Sequence, residues 1–443
     1  MKIRRDIIDY LKRWKESGNR KPILLRGARQ IGKTWIMREF GREYFEYVAE
    51  FNFDKTQELA NIFERTKDIS RVLKELALYT DVPIVPQKTL IIFDEIQMSE
   101  GALNSLKYFC EDAPEYHIIA AGSLLGVAVG KKKMSVPVGK VQILRMYPIT
   151  FKEFLQASDI GVYKYIDELN TLDPLPEIVL NKLEVEYKRY LICGGMPEAV
   201  TALLENRGIQ FMEERLQNIL DLYTLDFSKY AASIDIPRIN SLWSSLPSQL
   251  AKENKKFIYK VIRSGARARE YEDALLWLEE AGLTYRIFNI SKPGIPLYAY
   301  RDLSAFKVYA CDCGLLRRLS KLSPEIILSG NLAYTEFKGA LMENAVLQSL
   351  VAHSDTIPCY WSSENRAEVD FILQLSVDII PIEVKSDMRI SGKSLSVYTN
   401  RFNPSRRIRF SMNNLKENDG MLSCPITLAD WIYKIVELMK PKD

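Results

Sequence analysis

The chain has 443 residues, which suffices for two to four domains of the usual ~100–200 residues. Hydrophobic residues make up 47% of it, a value typical of globular proteins with full cores, which excludes a disordered chain. The formal net charge of +4 is too small to indicate a polyanionic partner by itself. No apolar run approaches the ~20 residues that span a bilayer, so no membrane contact is expected.

The N-terminus and the cysteines indicate a compartment. Residues 1–6 are charged and lack the apolar segment of a signal peptide, so a cytoplasmic location is expected. Six cysteines are scattered along the chain, and only Cys311 and Cys313 lie close together. Because the chain has two histidines in all, we expect reduced, mostly buried thiols rather than a zinc site.

In chain order, residues 4–16 predict an amphipathic helix. A glycine-containing segment, residues 27–34, then lies between an apolar run at residues 22–25 and a predicted helix at residues 35–44. This order of strand, loop and helix is the one that a Walker A phosphate loop requires. The predicted nucleotide-binding loop consists of Gly27, Ala28, Arg29, Gln30, Ile31, Gly32, Lys33 and Thr34.

Each part of this loop has a predicted role. The glycines permit backbone angles that turn successive N–H groups inward. The helix N-terminus that follows favours a phosphate group electrostatically. We expect Lys33 to neutralise the β- and γ-phosphates of ATP and the Thr34 hydroxyl to bind Mg²⁺.

Residues 57–63 and 69–79 predict helices, and residues 89–97 then predict a Walker B strand. The strand is continuously apolar, as in a buried parallel sheet, and it ends in Asp94 and Glu95. In this interpretation Asp94 holds Mg²⁺ through water and Glu95 polarises the attacking water. The alternative for this pair is a strand end that enters a solvated turn.

A further predicted strand, residues 116–123, ends in Ser123. This hydroxyl occupies the position of a sensor that contacts the γ-phosphate. A hydroxyl at a strand end is equally often a simple cap, so both interpretations stay open.

Four segments, residues 25–34, 92–97, 121–125 and 146–154, together resemble the archaeal and bacterial AAA+-type ATPases that carry a C-terminal nuclease-like domain. The resemblance extends over essentially the whole chain. It implies an α/β P-loop core of the additional-strand class. Many such relatives have Gly-Arg where this chain has Gly139-Lys140, so Lys140 would be a weaker substitute for an arginine finger. Arg145 is another candidate, and the finger is not assigned.

The middle of the chain predicts a helical lid followed by a winged helix. Helical patterns cover residues 151–157, 181–191 and 213–223, and residues 193–199 break them, which favours a turn between helices over a direct ATP contact. Three further helical patterns (239–250, 257–262 and 270–281) precede two predicted strands (283–288 and 297–300). Residues 306–316 are interpreted as a connector, with Cys311 and Cys313 in the core.

A basic cluster precedes the last helix of the predicted winged helix. Its members are Lys252, Lys255, Lys256, Lys260, Arg263, Arg267 and Arg269. Such residues hold DNA phosphates beside a recognition helix, so we expect duplex binding through the backbone. Glu270, Glu272 and Asp273 would repel phosphates, and packing without DNA is the alternative.

The last block contains the spacing of a PD-(D/E)XK nuclease core. A helix at residues 337–347 carries Glu343, and two strands carry Asp370 and the pair Glu383 and Lys385. Alternation along a strand puts Glu383 and Lys385 on one face. Phosphodiester hydrolysis uses carboxylates to hold Mg²⁺ and a lysine to orient water, so Glu343, Asp370 and Glu383 are predicted metal ligands.

The family resemblance also implies a restriction-endonuclease-like fold here, although no proline directly precedes Asp370. The alternative is a docking module with an idle site.

The predicted organisation has four parts. They are an AAA+-like P-loop domain at 1–150, a helical lid at 151–234, a winged helix at 235–330 and a nuclease-like α/β domain at 331–443. We expect an ATP- and Mg²⁺-dependent ATPase that acts on DNA. Two alternatives stay open: a nucleotide-dependent assembly switch that binds protein partners or further copies of itself, and a plain DNA-binding regulator.

Overall fold

The structure is a computed structural model, and it describes residues 1–122, 137, 139–252, 255–329, 335–354, 356–363, 367–386 and 393–440. The chain divides into two compact units. The first contains residues 4–147 and 280–282, and the second contains residues 1–3, 148–279 and 283–443. The finer division into four parts stays a prediction.

A five-stranded parallel sheet forms the centre of the first unit. Its strands are Ile23–Arg26 (β1), Tyr47–Asn52 (β2), Thr89–Asp94 (β3), His117–Ala121 (β4) and Gln142–Arg145 (β5). The α-helices described in this unit are Ile7–Glu16, Lys33–Tyr44, Glu58–Arg65, Ile69–Leu76 and Glu100–Asp112. Short 3₁₀ helices cover Ala77–Tyr79 and Ile96–Met98.

The strand order is β2-β3-β4-β1-β5. Strand β4 therefore lies between β1, which leads into the predicted phosphate loop, and β3, which ends in Asp94. This is the additional-strand arrangement that the family resemblance implied. All six residues of β3 are buried, which explains its continuous apolar run. Because β1 and β3 are parallel, their carboxyl ends meet one edge of the sheet, where ligands bind in such folds.

The second unit contains an eight-stranded sheet in the order β12-β13-β11-β10-β9-β8-β6-β7. Its strands are Thr284–Ile290 (β6), Arg301–Ala310 (β7), Cys359–Ser363 (β8), Ala367–Leu375 (β9), Asp378–Val384 (β10), Arg407–Ser411 (β11), Lys416–Asn418 (β12) and Met421–Pro425 (β13). Strands β8, β9 and β10 run antiparallel, and β11 is parallel to β10.

Most of the helices that the structure describes follow residue 150. The α-helices are Phe151–Ser158, Ile160–Asp167, Glu177–Cys193, Pro197–Leu204, Ile209–Tyr230, Ile236–Leu250, Ala268–Glu280, Cys313–Leu319, Pro324–Ser329, Thr335–His353, Lys393–Phe402 and Ile432–Leu438. The 3₁₀ helices are Tyr259–Val261, Leu297–Tyr300 and Ile426–Trp431. Within the described ranges, every helix is too short or too polar to cross a bilayer.

The predicted hairpin at residues 283–300 was wrong in its second strand. Residues Leu297–Tyr300 form a 3₁₀ helix, and the strand is Arg301–Ala310. Pro296 has no N–H for a strand ladder, and the Leu297 N–H bonds the side chain of Gln374 instead, at 2.7 Å. The connector predicted at 306–316 is therefore the end of β7 and the start of a helix.

The hairpin also joins the C-terminal strands, since β6 pairs in parallel with β8 through Asn289 and Ile290. Of the three helices predicted before it, the second is only the 3₁₀ turn Tyr259–Val261. Cys311 and Cys313 are completely buried free thiols, as predicted.

His117, at the start of β4, is a buried titratable group of the first unit. Its ring contacts Trp14 and Phe45 edge-on, with centroid distances of 5.6 and 4.9 Å. Burial lowers the pKa of His117 from 6.5 to about 4, and the nearby charge of Arg20 adds to the shift. The folded protein therefore disfavours the imidazolium form that the unfolded chain adopts below pH 6.5.

We expect acid to destabilise the first unit through His117. Because the folded pKa lies below the unfolded value, this contribution to stability is complete above pH 6.5 and falls as the pH approaches 4. Urea unfolding should show a loss of about 2 kcal/mol between pH 7 and pH 5 that the His117→Phe variant lacks. If the two proteins lost stability in parallel over this range, the explanation would be wrong.

Candidate functional site

The predicted phosphate loop connects β1 to the helix that begins at Lys33. Gly27 has a φ of 149°, and a Cβ atom there would lie 2.3 Å from the backbone oxygen of Met146. The backbone N–H of Met146 donates to the oxygen of Arg26 at 2.8 Å, which holds the neighbouring chain against the loop. Gly32 has a φ of 93°, in the left-handed region that favours glycine. The loop therefore requires glycine at Gly27 for steric reasons.

Lys33 is the first residue of the helix that follows the loop, and it is only 8% exposed. Its ammonium group donates to the backbone oxygens of Gly27 and Ala28, at 2.8 and 2.6 Å. Burial lowers the pKa of Lys33 to about 8, although Glu95 and Asp94 partly oppose the shift. Carbonyl oxygens thus hold this cation in place of a carboxylate in direct contact, and phosphate oxygens can replace them.

Thr34 and Asp94 meet at the same sheet edge, as the sequence predicted. The Thr34 hydroxyl donates to Asp94 Oδ2 at 3.0 Å, and the Asn52 side-chain amide donates to the same oxygen at 3.3 Å. Burial raises the pKa of Asp94, while the Thr34 hydrogen bond acts in the opposite direction. A hydroxyl beside a buried carboxylate suits Mg²⁺, so these two residues fit the role of holding it.

Glu95 follows Asp94 with a left-handed φ of 52°. Its carboxylate accepts a 2.5 Å hydrogen bond from the side-chain amide of Gln97, which is only 7% exposed. The amide therefore controls where the Glu95 carboxylate points. Gln97 and Asn52 are functional candidates that the sequence reasoning missed, although Asn52 had a signal, since it is a polar residue that ends a strand beside β3.

The remaining nucleotide-site candidates are less well defined. Ser123 lies outside the described residues. Lys140 forms an ion pair with Glu111 at 2.8 Å, and Arg145 lies exposed on β5. The structure therefore supports no choice between the two as an arginine finger.

The turn at residues 193–199 connects two helices, as predicted, and it packs around Asp312. The N–H of Gly195 donates to Asp312 Oδ2 at 2.6 Å, and the N–H of Leu315 donates to Oδ1 at 2.9 Å. The oxygen of Gly195 accepts from the N–H of Ile149 at 2.7 Å. Within the second unit the polar contacts of this turn are thus structural.

Glu343 and Asp370 are buried together in the second unit. Glu343 accepts hydrogen bonds from the ammonium of Lys255 and, at 3.2 Å, from the Tyr309 hydroxyl. Burial raises the pKa of Asp370 to about 7, the charge of Glu343 adds to this, and Lys307 and Lys255 oppose it. Asp370 Oδ2 accepts the Val384 N–H at 2.8 Å.

Glu383 and Lys385 come together, as alternation along β10 predicted. Their charged atoms are 3.2 Å apart, and Arg409 on β11 donates to the other oxygen of Glu383 at 2.9 Å. In the described part of the chain, no three acidic, histidine or cysteine side chains gather in a group that could hold a metal ion. Glu343 is paired with a lysine, Glu383 is paired with a lysine and an arginine, and the role of Glu343, Asp370 and Glu383 as Mg²⁺ ligands stays a prediction.

The members of the predicted basic cluster differ in exposure, and Lys252 is half-buried. Lys255 points inward and forms an ion pair with Glu343. Its predicted role as a phosphate contact was therefore wrong. Exposed positions are occupied by Lys256, Lys260, Arg263, Arg267 and Arg269. Of the acidic residues that follow, Glu272 bonds Arg286 at 2.6 Å and Glu270 lies 3.7 Å from Arg263.

Comparison with known protein families matches three consecutive parts of the chain. Residues 19–155 match the AAA domain, residues 184–326 match a domain of unknown function (DUF8612), and residues 338–429 match a domain of unknown function (DUF4143). Together with the loop and the strand order, the first match makes residues 19–155 a P-loop domain of the AAA type.

Among curated proteins, an uncharacterized protein of Haemophilus influenzae is 26% identical over 190 residues. The matched segment is 40% of this chain and only 40% of that relative.

Three solved structures show a distant likeness. The Walker-type ATPase PABY2304 of Pyrococcus abyssi is 15% identical, with a TM-score of 0.42 over 72% of this chain and 98% of its own. The ORC2 protein of Aeropyrum pernix is 14% identical, with a TM-score of 0.40 over 74% and 95%. The RuvB branch migration motor of Thermotoga maritima is 13% identical, with a TM-score of 0.27 over 64% and 90%. With TM-scores this low, the AAA domain match is the comparison that bears on the site.

We expect Gly195→Ala to destabilise the second unit. A Cβ atom at Gly195 would lie 2.1 Å from the oxygen of Ile149, an overlap that costs about 3 kcal/mol when the backbone has to move. The matched control is Gly339→Ala, because Gly339 lies in a helix with nothing within 4 Å of its Cβ position. Thermal unfolding should show a clear fall for the first variant and none for the control. Equal midpoints would exclude the proposed close packing.

Proposed function

We propose that this protein binds ATP with Mg²⁺ and hydrolyses it at the edge of the first sheet. The observation that supports this most directly is the hydrogen bond between Thr34 and Asp94, beside the buried ammonium of Lys33. A phosphate loop, a hydroxyl and a carboxylate at one edge form the set that P-loop enzymes use for phosphoryl transfer.

Each residue has a separate role in this proposal. Lys33 exchanges its bonds to the loop oxygens for bonds to the β- and γ-phosphates. Thr34 and Asp94 hold Mg²⁺, which neutralises developing negative charge when it is bound. Glu95 orients and polarises the attacking water, and Gln97 sets the position of the Glu95 carboxylate. Because Lys33 is buried, its interaction with phosphate is screened little by water.

We expect the Glu95→Gln variant to keep its ATP affinity and to lose about 10²–10⁴-fold in turnover, since it cannot accept the proton of the attacking water. The Lys33→Ala variant should lose nucleotide binding. Equilibrium binding and phosphate release, measured on the full chain, would separate these effects. Glu100→Gln is the matched control, because Glu100 is an exposed acid a few residues away. Turnover by Glu95→Gln at the wild-type rate would contradict the proposal.

We further propose that the protein acts on DNA through the phosphate backbone. The support is the exposed basic stretch that contains Lys260, Arg267 and Arg269 just before and within the start of the helix Ala268–Glu280. The acidic residues of that helix would repel DNA less than the sequence suggests, because Glu272 and Glu270 have cationic partners. Nothing in this stretch supports recognition of particular bases.

A triple change of Lys260, Arg267 and Arg269 to alanine should weaken DNA binding and lower its salt dependence by up to ~3 in log–log slope, one unit for each lost phosphate contact. Fluorescence anisotropy with duplex DNA over a salt series would measure both quantities. The matched control changes Lys164, Lys182 and Lys321, which are exposed lysines elsewhere in the same unit. If both triple variants lost DNA affinity equally, the binding would depend on overall positive charge and not on this basic stretch.

The second candidate function is a nucleotide-dependent switch that binds protein partners and has no nuclease activity. The specific observation in its favour is the ion pair of Lys255 with Glu343, at the heart of the predicted nuclease-like site. If linear, supercoiled and branched DNA all leave ATP affinity and turnover unchanged, this candidate replaces action on DNA. A metal-dependent cut that the Asp370→Ala variant abolishes would exclude it.

A further inference from the structure

Two carboxylates of strand β9 and one of the helix Thr335–His353 form a largely buried cluster with two lysines. Glu343, Asp370 and Glu368 contribute the acids, and Lys255 and Lys307 contribute the cations. Glu343 is 5% exposed, Asp370 is 8% exposed and Lys307 is completely buried. Such groups remain charged in a protein interior only when each has a partner of opposite charge.

The partners occupy the oxygens that a metal ion would need. One oxygen of Glu343 binds Lys255 and the other binds the Tyr309 hydroxyl. Lys307 donates to Glu368, and its ammonium also lies 4.8 Å from the centre of the Tyr360 ring. One oxygen of Asp370 accepts the Val384 N–H. A divalent cation at Glu343 would have to displace an ammonium group.

The acids and the lysines come from different parts of the chain. Glu343, Glu368 and Asp370 lie within the segment 338–429, which matches one domain of unknown function. Lys255 and Lys307 lie within the segment 184–326, which matches another. The cations therefore reach the acids through the tertiary fold, and a spacing rule confined to the C-terminal segment cannot reveal them.

The two lysines differ in their contacts and in their exposure. Lys255 contacts Glu343 directly, and Lys307 contacts Glu368 directly. Lys255 is the accessible one of the two, since its side chain is 14% exposed and that of Lys307 is completely buried.

We propose that Lys255 and Lys307 take the place of a divalent cation at Glu343 and Asp370, so that the chain itself closes a latent metal site. This inference does not depend on ATP hydrolysis. In the native protein the cluster is then a set of internal ion pairs, and Lys255 is the group that excludes the metal.

The test is a Mn²⁺ titration of the full chain without nucleotide, with free Mn²⁺ followed by electron paramagnetic resonance. The wild type and the Asp370→Asn variant should bind the same number of Mn²⁺ ions. The Lys255→Met variant should bind one more Mn²⁺ per chain, and the double variant with Asp370→Asn should lose it again. Lys256→Met is the matched control, because Lys256 is the exposed neighbour.

Two results would overturn the proposal. The first is a Mn²⁺ site of the wild type that disappears in Asp370→Asn, since the lysines would then not exclude the metal. The second is a folded Lys255→Met variant that gains no site. Circular dichroism establishes folding, and Lys255→Gln serves as the second variant, since it keeps a neutral hydrogen-bond donor to Glu343. The Lys33→Ala variant should fail to bind nucleotide and still bind the same number of Mn²⁺ ions as the wild type. This result would show that the Mn²⁺ titration reports on the cluster and not on the proposed ATPase site.

Discussion

The close approach of two backbone segments at Gly27 constrains the whole first unit. A Cβ atom at Gly27 would lie 2.3 Å from the oxygen of Met146, and the hydrogen bond from Met146 to Arg26 holds that oxygen in place. From this point the loop brings the Lys33 ammonium against the oxygens of Gly27 and Ala28, and Thr34 beside Asp94. Strand β4 completes the arrangement, since it lies between β1 and β3 and so sets them two strand spacings, roughly 10 Å, apart. The site thus depends on backbone packing as much as on its polar side chains.

The parts of this arrangement that are local in sequence could be predicted from the sequence. The phosphate loop, the apolar strand ending in Asp94 and Glu95, and the pair Glu383 and Lys385 each depend on spacing within a few residues. Helix periodicity likewise predicted helices at residues 181–191 and 213–223, which lie within the observed helices Glu177–Cys193 and Ile209–Tyr230. Such patterns record which side chains share a face, so they remain informative without any knowledge of distant contacts.

The parts that depend on distant contacts could not be predicted in this way. Lys255 looks like its basic neighbours in sequence, yet it pairs with Glu343, 88 residues later. Lys307 had a weak signal, because a single lysine within the apolar stretch 305–310 requires a buried partner, but the identity of Glu368 as that partner did not follow. The strand predicted at 297–300 failed for a related reason, since the fold gives the Leu297 N–H a partner in Gln374, far along the chain.

The pKa values of two buried lysines, Lys33 in the first unit and Lys307 in the second, shift in opposite directions. Both are deeply buried, yet burial lowers the pKa of Lys33 to about 8, whereas at Lys307 the opposing effect of burial is outweighed by Glu368, Glu343 and Asp370, so its pKa is raised. Neutral backbone oxygens hold Lys33, and a carboxylate holds Lys307. An anionic ligand therefore gains much at Lys33, where it would supply the missing negative charge, and little at Lys307, where that charge is already present. The same comparison explains why two sites rich in acidic and basic residues differ in what they can bind: one is completed by a ligand, and the other is completed by its own chain.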